Sequence, residues 1–330
     1  MKTNLLLFQP SMAMIFNYTK KNFESTEYNL NDLDKNLNPW FITGFTDAEG
    51  SFILGMTKSN KYKSGFQVQL IFKITLHKKD YVLLSQIKNY FGVGSITNHG
   101  ENTLQYTVKS IKDLKVVVSH FDMFPLISQK HADYILFKQA FNMLGSKEHV
   151  TPEGLLKIVG IRAAMNKGLT EELKKDFPDV TLVLRPIVSD ISIKDPAWIA
   201  GFTSGDGSFF VSIFSRGSES KPGVRLTFKI TQHSRDEMLL RSLIDYLGCG
   251  RYVSIQEEEH GEFVVSNLPD IIEKIIPFFE IYSIEGLKSL DLLGFKEIAN
   301  LMQKKEHLTP EGLFKIKEIK SKMNSLRFIS

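Results

Sequence analysis

The sequence predicts an α+β protein built from two copies of one αββαββα domain, related by a pseudo-twofold axis, each a four-stranded antiparallel sheet backed by helices. The first observation behind this is an internal duplication. FITGFTDAEGSF at Phe41–Phe52 reappears as WIAGFTSGDGSF at Trp198–Phe209, and FKITLH at Phe72–His77 as FKITQH at Phe228–His233. Phe91-Gly-Val-Gly94 returns as Leu247-Gly-Cys-Gly250, and KEHVTPEGL at Lys147–Leu155 as KEHLTPEGL at Lys305–Leu313. Order is kept and spacing holds at 156–158 residues, far longer than a solenoid repeat. The second observation is period-two apolar alternation after each motif. The third is a pair of matching helix starts, Asn38-Pro39 and Asp195-Pro196. The 330 residues, at about 100–200 per domain, accommodate two such copies.

Each copy opens on a helix that an Asn or Asp caps and a Pro begins. It is expected to stop at Gly50 or Gly207 through a glycine cap. Two strands follow, with Phe52, Leu54, Met56 and then Phe66, Val68, Leu70, Phe72, Ile74 on one face. The second copy shows Phe209, Val211, Ile213 and then Val224, Leu226, Phe228, Ile230. A helix comes next (Asp80–Tyr90; Asp236–Leu247), then a shorter strand pair. Helices near Asp113–Phe121, Lys130–Leu144 and Pro152–Lys167 close copy one, with Thr151 and Thr309 as natural caps of the last helix in each copy. The boundaries read as a leader or linker at 1–37, a first domain at 38–168, a connector at 169–195 and a second domain at 196–330. The apolar patches of Met1–Phe16 lack a cleavage site and basic flanks, so they read as neither signal nor transit peptide.

Composition excludes several classes. Apolar residues are 42% and charged residues 24%, too apolar for a wholly disordered chain. No apolar run approaches the roughly 20 residues that span a bilayer, so no membrane partner is expected. The single Cys249 excludes an intrachain disulfide and a cysteine metal cluster, and reads as a small buried hydrophobe. A net charge of +4 is by itself a weak nucleic-acid signal. Gly92-Val-Gly94 lacks the third glycine of a dinucleotide loop and reads as a turn.

The outward strand faces say more. Copy one presents Ser51, Gln67, Gln69, Ile71, Lys73 and Thr75, and Gly50 to Lys79 contains no acidic residue. Copy two presents Ser212, Arg216, Arg225, Thr227, Lys229 and Thr231, with Arg251 on its second strand pair. Such a face suits the reading of base edges, and Lys61, Lys63 and Lys221 in the loops between those strands suit phosphate contact. The same alternation also serves an ordinary solvated face.

Glu49 and Asp206 stand at equivalent C-terminal tips of the two capped helices. An acid there opposes the helix dipole at a cost of roughly 0.3–1 kcal/mol, so stability does not explain it twice. Gly44 and Ala200-Gly201 let the helices approach closely, which would bring the two carboxylates side by side. A divalent cation relieves their repulsion, and hard oxygen ligands suit Mg²⁺. Metal carboxylates beside a basic groove are a means of hydrolysing a phosphodiester.

The paired motifs, the Phe-Lys-Ile-Thr strand and the Lys-Glu-His-x-Thr helix entry together resemble the LAGLIDADG homing endonucleases in their single-chain form, over roughly residues 38–330. The fungal mitochondrial, intron-encoded members are the most similar. The resemblance implies the homing-endonuclease fold: a monomer with pseudo-dimeric symmetry whose sheets straddle a long asymmetric double-stranded DNA target. It implies metal-dependent hydrolysis of one phosphodiester per strand, leaving 3′ overhangs. Glu49 and Asp206 map onto the metal-binding acids, with the preceding carbonyls of Ala48 and Gly205 as added ligands. Lys130 and Lys288 match the basic active-site residues. Gln232 matches a residue that orients water, and Leu76 takes its place in copy one. Mg²⁺ or Mn²⁺ would support cleavage, and Ca²⁺ would bind without it. Asp206 stands where close relatives carry Glu, so unequal nicking is expected. Mitochondrial localisation follows from the resemblance alone. Two other functions share the fold: an RNA maturase acting on the host intron RNA, and a DNA-binding relative without catalysis.

Overall fold

Pro39 and Pro196 begin two helices of equal length, and their packing against each other organises the molecule. The computed structural model describes residues 36–214, 222–255 and 259–324. Most of the 1–37 leader, Arg216, Lys221 and residues 256–258 lie outside them.

In copy one, α1 (Pro39–Glu49) leads into β1 (Gly50–Lys58) and β2 (Phe66–His77), then α2 (Tyr81–Phe91), β3 (Ser95–Asn98) and β4 (Thr103–Val108). The helices α3 (Ile111–Met123), α4 (Lys130–Gly145) and α5 (Pro152–Ala164) complete it. After α6 (Glu171–Asp176), residues 177–195 carry no regular structure. Copy two repeats the plan with α7 (Pro196–Asp206), β5 (Gly207–Phe214), β6 (Gly223–His233), α8 (Glu237–Leu247), β7 (Arg251–Ile255) and β8 (His260–Val265). A helical stretch from Leu268 to Ile281 follows, and then α9 (Lys288–Gln303) and α10 (Pro310–Ser321). That stretch widens to a π turn at Ile271–Ile275, just before Pro277. Proline has no N–H to donate, and its ring crowds the carbonyl four residues back.

Both sheets are antiparallel with matching strand orders, β1-β2-β4-β3 and β5-β6-β8-β7. Registers correspond: Ser51 faces Lys73 and Ser208 faces Lys229. The pleat sends Leu54, Leu70, Phe72 and Ile74 into one core, and Val211, Leu226, Phe228 and Ile230 into the other. Phe52 packs edge-on to Phe121, and Phe209 edge-on to Phe279, at ring distances of 5.4 and 5.8 Å. With one face of each sheet buried, a one-residue slip would expose the whole apolar set, so register is strongly specified.

The two copies meet through α1 and α7. A Cβ on Gly44 would lie 2.0 Å from the Trp198 carbonyl oxygen, and one on Gly201 would lie 2.0 Å from that of Phe41. The helix backbones therefore touch, and Phe41, Ile42, Phe45, Trp198, Ile199 and Phe202 are buried around the contact.

Three local expectations need correction. Gly50 and Gly207 are not left-handed caps: both are extended, at φ −74° and −77°. Glycine is needed there for space, since a Cβ would meet Cγ2 of Thr46 or Thr203 at 2.4 Å. The helix expected over Pro152–Lys167 ends at Ala164. Asn166 turns the chain inward, its N–H donating to Asp133 and its side-chain amide to the Phe52 carbonyl, each at 2.9 Å. The helix expected from Asp113 begins at Ile111, because the Ser110 hydroxyl accepts the Asp113 N–H and caps it two residues earlier. Gly92 and Gly94, at φ 66° and 80°, form the expected turn.

Candidate active site and nucleic-acid face

Because α1 and α7 touch along their length, their tips meet. A Cβ on Gly205 would lie 2.3 Å from the Ala48 Cβ and 3.1 Å from the Glu49 Cγ. Glu49 and Asp206 thus sit at one seam, and their electrostatics record it. Burial pushes both carboxyls up, and Glu49 raises Asp206 further, to about 6. The nearby cations Lys130 and Lys288 pull both the other way.

Those lysines begin α4 and α9. The Lys130 ammonium donates to the carbonyls of Thr46 and Ala48, each at 2.9 Å. Lys288 repeats this on Thr203, at 3.2 Å, and on Gly205. Each lysine therefore closes the last turn of its own motif helix, whose C-terminal carbonyls lack intrahelical partners. Burial lowers both ammonium groups below the usual lysine range while the clustered acids oppose that shift. For Glu49 the larger cationic influence is Lys288, and for Asp206 it is Lys130. A pocket of about 310 Å³ beside Glu49 is lined by Leu76 and Asp80 from copy one and by Gly205 and Lys288 from copy two. Each lysine thus acts on both acids across the seam, a convergence the duplicated sequence did not disclose.

The two acids have different companions. Gln232 donates its amide to Asp206 Oδ2, whereas the matching Leu76 is apolar and lines the pocket. Asp47, next but one to Glu49, is buried and accepts from the N–H groups of Ile127 and Ser128, the Ser128 hydroxyl and the Trp198 indole. Its counterpart Ser204 accepts the Glu285 N–H at 3.1 Å. Both hold the loop before a lysine-bearing helix, and neither role was read from sequence.

The donor set suits a hard divalent cation. Among the described residues no three His, Cys, Asp or Glu side chains converge. Mg²⁺ does not need such a cage, since it commonly takes one or two carboxylates together with water and substrate phosphates. Two partly buried carboxylates that repel each other fit that role. The Ala48 and Gly205 carbonyls already accept from lysine, though a carbonyl oxygen has two lone pairs.

On the sheet faces, Ser51, Gln67, Gln69, Lys73 and Thr75 lie together on the side away from core one. Ser212, Arg225, Thr227 and Lys229 do so in copy two, with Arg251 joining through β7. Lys61 and Lys63 are exposed in the β1–β2 loop. Arg216 lies outside the described residues. Arg225 stacks on Phe214, 5.2 Å from the ring centroid. Two face residues escaped the sequence reading. Phe210 is 48% exposed, opposite Thr227. Glu262 accepts from Lys229 at 2.5 Å and from Thr231 at 3.2 Å, where copy one has Gln105 donating to Thr75 at 3.0 Å. The alternation of β8 could have revealed Glu262, since it pairs opposite Thr231.

Removing the Asp206 charge has a consequence for stability. The folded-state pKa is raised from 3.8 to about 6, so folding is penalised as pH rises through that window and the penalty is full above it. A shift of this size corresponds to about 3 kcal/mol at most. Asp206→Asn is expected to unfold at higher denaturant than wild type at pH 8 in the presence of a chelator, with the gap closing by pH 4. Denaturant titrations at the two pH values measure this.

A pair of fused αββαββα halves, joined through glycine-matched helices that end in acids, defines the class structurally. Residues 42–141 and 199–299 match the family model of the LAGLIDADG endonucleases, and the chain belongs to that family. It is 40% identical over 300 residues to a probable intron-encoded endonuclease of Neurospora crassa, covering 87% of this chain and 65% of that relative. The chain thus spans under two thirds of that relative's length. The crystal structure of the I-SmaMI LAGLIDADG homing endonuclease bound to cleaved DNA matches at a TM-score of 0.87 with 45% identity, over 89% of this chain and 99% of that one. I-SmaMI bound to uncleaved DNA target in the presence of calcium ions matches at 0.86 and 46%, over 88% and 99%.

Proposed function

We propose that this chain is a site-specific, double-strand DNA endonuclease that uses a divalent metal, Mg²⁺ or Mn²⁺, to hydrolyse one phosphodiester in each strand of a long asymmetric target, leaving 3′ overhangs. The observation that carries the reading is the seam itself. Two carboxylates and two lysines, one of each from either half, sit at the joint between two polar sheet faces. Likeness to a structure bound to cleaved DNA, and to one holding calcium, supports the substrate and the metal class. Likeness to an intron-encoded fungal protein supports synthesis from an intron, which we read as mitochondrial. We take 38–168 and 196–330 as the two working halves, with 169–195 joining them. Among the described residues no helix is long and apolar enough to cross a membrane.

In this reading Glu49 and Asp206, with the carbonyls of Ala48 and Gly205, hold the metal. A bound divalent cation neutralises charge on the scissile phosphate and lowers the pKa of its water. Lys130 and Lys288 stabilise the extra negative charge that develops on the phosphate oxygens at the seam. Gln232 fixes Asp206 and orients water beside it, while Leu76 offers no such hydrogen bond, so the two strands are cut at unequal rates. Ser51, Gln67, Gln69, Lys73, Thr75, Ser212, Arg216, Arg225, Thr227, Lys229 and Arg251 read the major groove, and Lys61 and Lys63 meet phosphates. Selection of cleaved members from a randomised duplex library, in Mg²⁺ and then in Ca²⁺, tests the reading. One enriched site in Mg²⁺ supports it, and no cleaved product in Mg²⁺ or Mn²⁺ contradicts it.

Glu262 sharpens the expectation for one half-site. A carboxylate on this face accepts from a cytosine amino group and repels phosphate, and it occupies Lys229. Glu262→Gln is expected to relax base preference at one or two adjacent positions of that half-site by about 1–3 kcal/mol, leaving the other half-site unchanged. Profiling the variant on single-substitution targets measures it.

A further inference from the structure

The helices that carry Lys130 and Lys288 are each fastened at their start by an acid from the other half. Asp236, at the head of α8 in copy two, accepts the Gln129 N–H at 2.7 Å, immediately before Lys130. Asp80, at the head of α2 in copy one, accepts the Leu287 N–H at 2.8 Å, immediately before Lys288. The contacts are reciprocal and span 107 and 207 residues of chain. Asp236 is buried, at 5% exposure. Asp80 reaches its partner past Gly286, where a Cβ would lie 2.7 Å from Asp80 Oδ1. Each acid also lies just beyond the strand residue that flanks a site: Gln232 precedes Asp236 and Leu76 precedes Asp80 by the same four positions.

A carboxylate in either place is not needed to start a helix. Neither Asp80 nor Asp236 makes a side-chain capping bond to its own helix. Each carboxylate instead accepts a backbone N–H of the opposite half, at the residue from which a lysine departs toward the seam, while Asp236 also pairs with Arg235 at 3.7 Å. Side-chain bonds to backbone at such points set where the next residue's side chain can reach, and small misplacements of a charge-stabilising group are costly in rate.

We propose that Asp80 and Asp236 are positioning residues that couple the halves, Asp236 placing Lys130 and Asp80 placing Lys288, each for the strand that its lysine serves. The proposal rests on the endonuclease reading above and goes beyond it by making each strand's rate depend on one named acid of the other half.

Strand-resolved cleavage of a labelled duplex by the full chain tests it, with the Lys130→Ala and Lys288→Ala variants marking which strand each lysine serves. Asp236→Ala is expected to slow the strand marked by Lys130→Ala by about tenfold or more, as for loss of a buried hydrogen bond to a charged acceptor, and to leave the other strand within about threefold. Asp80→Ala is expected to slow the strand marked by Lys288→Ala in the same way. Asp80→Asn and Asp236→Asn keep an oxygen acceptor and are expected to restore most of the rate, with duplex affinity unchanged throughout. Equal slowing of both strands, or Asn variants as slow as Ala, would overturn the assignment while leaving the endonuclease reading intact. A wild-type chain that leaves both strands whole would overturn that reading and the assignment with it.

Discussion

Replacing Glu49 with Gln and Asp206 with Asn together is expected to end cleavage of both strands while duplex binding persists. The two substitutions keep shape and remove only charge. The chemistry asked of these groups is to hold a cation against a phosphate, and a metal acting as Lewis acid supplies several kcal/mol of transition-state stabilisation. At 1.36 kcal/mol per tenfold, the loss is expected to reach about a thousandfold or more in single-turnover rate. Binding should move the opposite way or not at all. Two negative groups that face the polyanion disappear, and the side chains proposed to touch bases and phosphates are untouched. Burial disfavours both charges in the protein alone, and Glu49 raises Asp206 further, so the double variant should also be at least as stable as wild type. Lost cleavage alongside lost stability would point to misfolding. Lost cleavage with retained fold and affinity is the expected pattern, and single-turnover assays with parallel binding measurements resolve the two.

The second large effect concerns the helix joint. Gly44→Ala adds one carbon that would stand 2.0 Å from the Trp198 carbonyl oxygen, and Gly201→Ala does the same against Phe41. Neither obstacle is a flexible side-chain end, so the helices must separate. Separation loosens the packing of Phe41, Phe45, Trp198 and Phe202 and draws the two tips apart. Overpacking of this kind costs about 1–3 kcal/mol and more where backbone must move, so a loss of about 3 kcal/mol or greater is expected for each. Gly55→Ala is the matched control, since its added carbon would sit 3.5 Å from the Gln69 carbonyl oxygen in ordinary contact. It is expected to change stability by under about 1 kcal/mol. Equilibrium denaturation of the three variants decides the matter, and a Gly44→Ala protein as stable as Gly55→Ala would contradict the packing described.

Much of this was legible in the residues because the signals are local. The pleat writes Phe52, Leu54, Leu70 and Phe72 at period two, and the capped starts at Asn38 and Asp195 depend only on neighbouring atoms. Glu49 and Asp206 stood out because an acid at a helix C-terminus is unfavourable and here occurs twice. What stayed hidden involves partners distant in sequence. Asp80 resembles an ordinary helix-start acid until its contact with Leu287 is known. The convergence of both lysines on one seam depends on how the halves pack, which no periodicity records. Gly50 and Gly207 resembled left-handed caps because glycine serves both conformation and space, and only the Thr46 and Thr203 methyl groups distinguish the two uses. Glu262 has no acidic counterpart in copy one, where Gln105 takes its place, and so the duplication does not mark it.

The most direct test of the central claim is a crystal structure of this chain on its selected duplex with Mn²⁺, its ions located by anomalous scattering. The account predicts metal between the Glu49 and Asp206 carboxylates and the backbone phosphates at the middle of the target, with Lys130 and Lys288 alongside. Manganese bound elsewhere, or duplex seated away from the two helix tips, would contradict it.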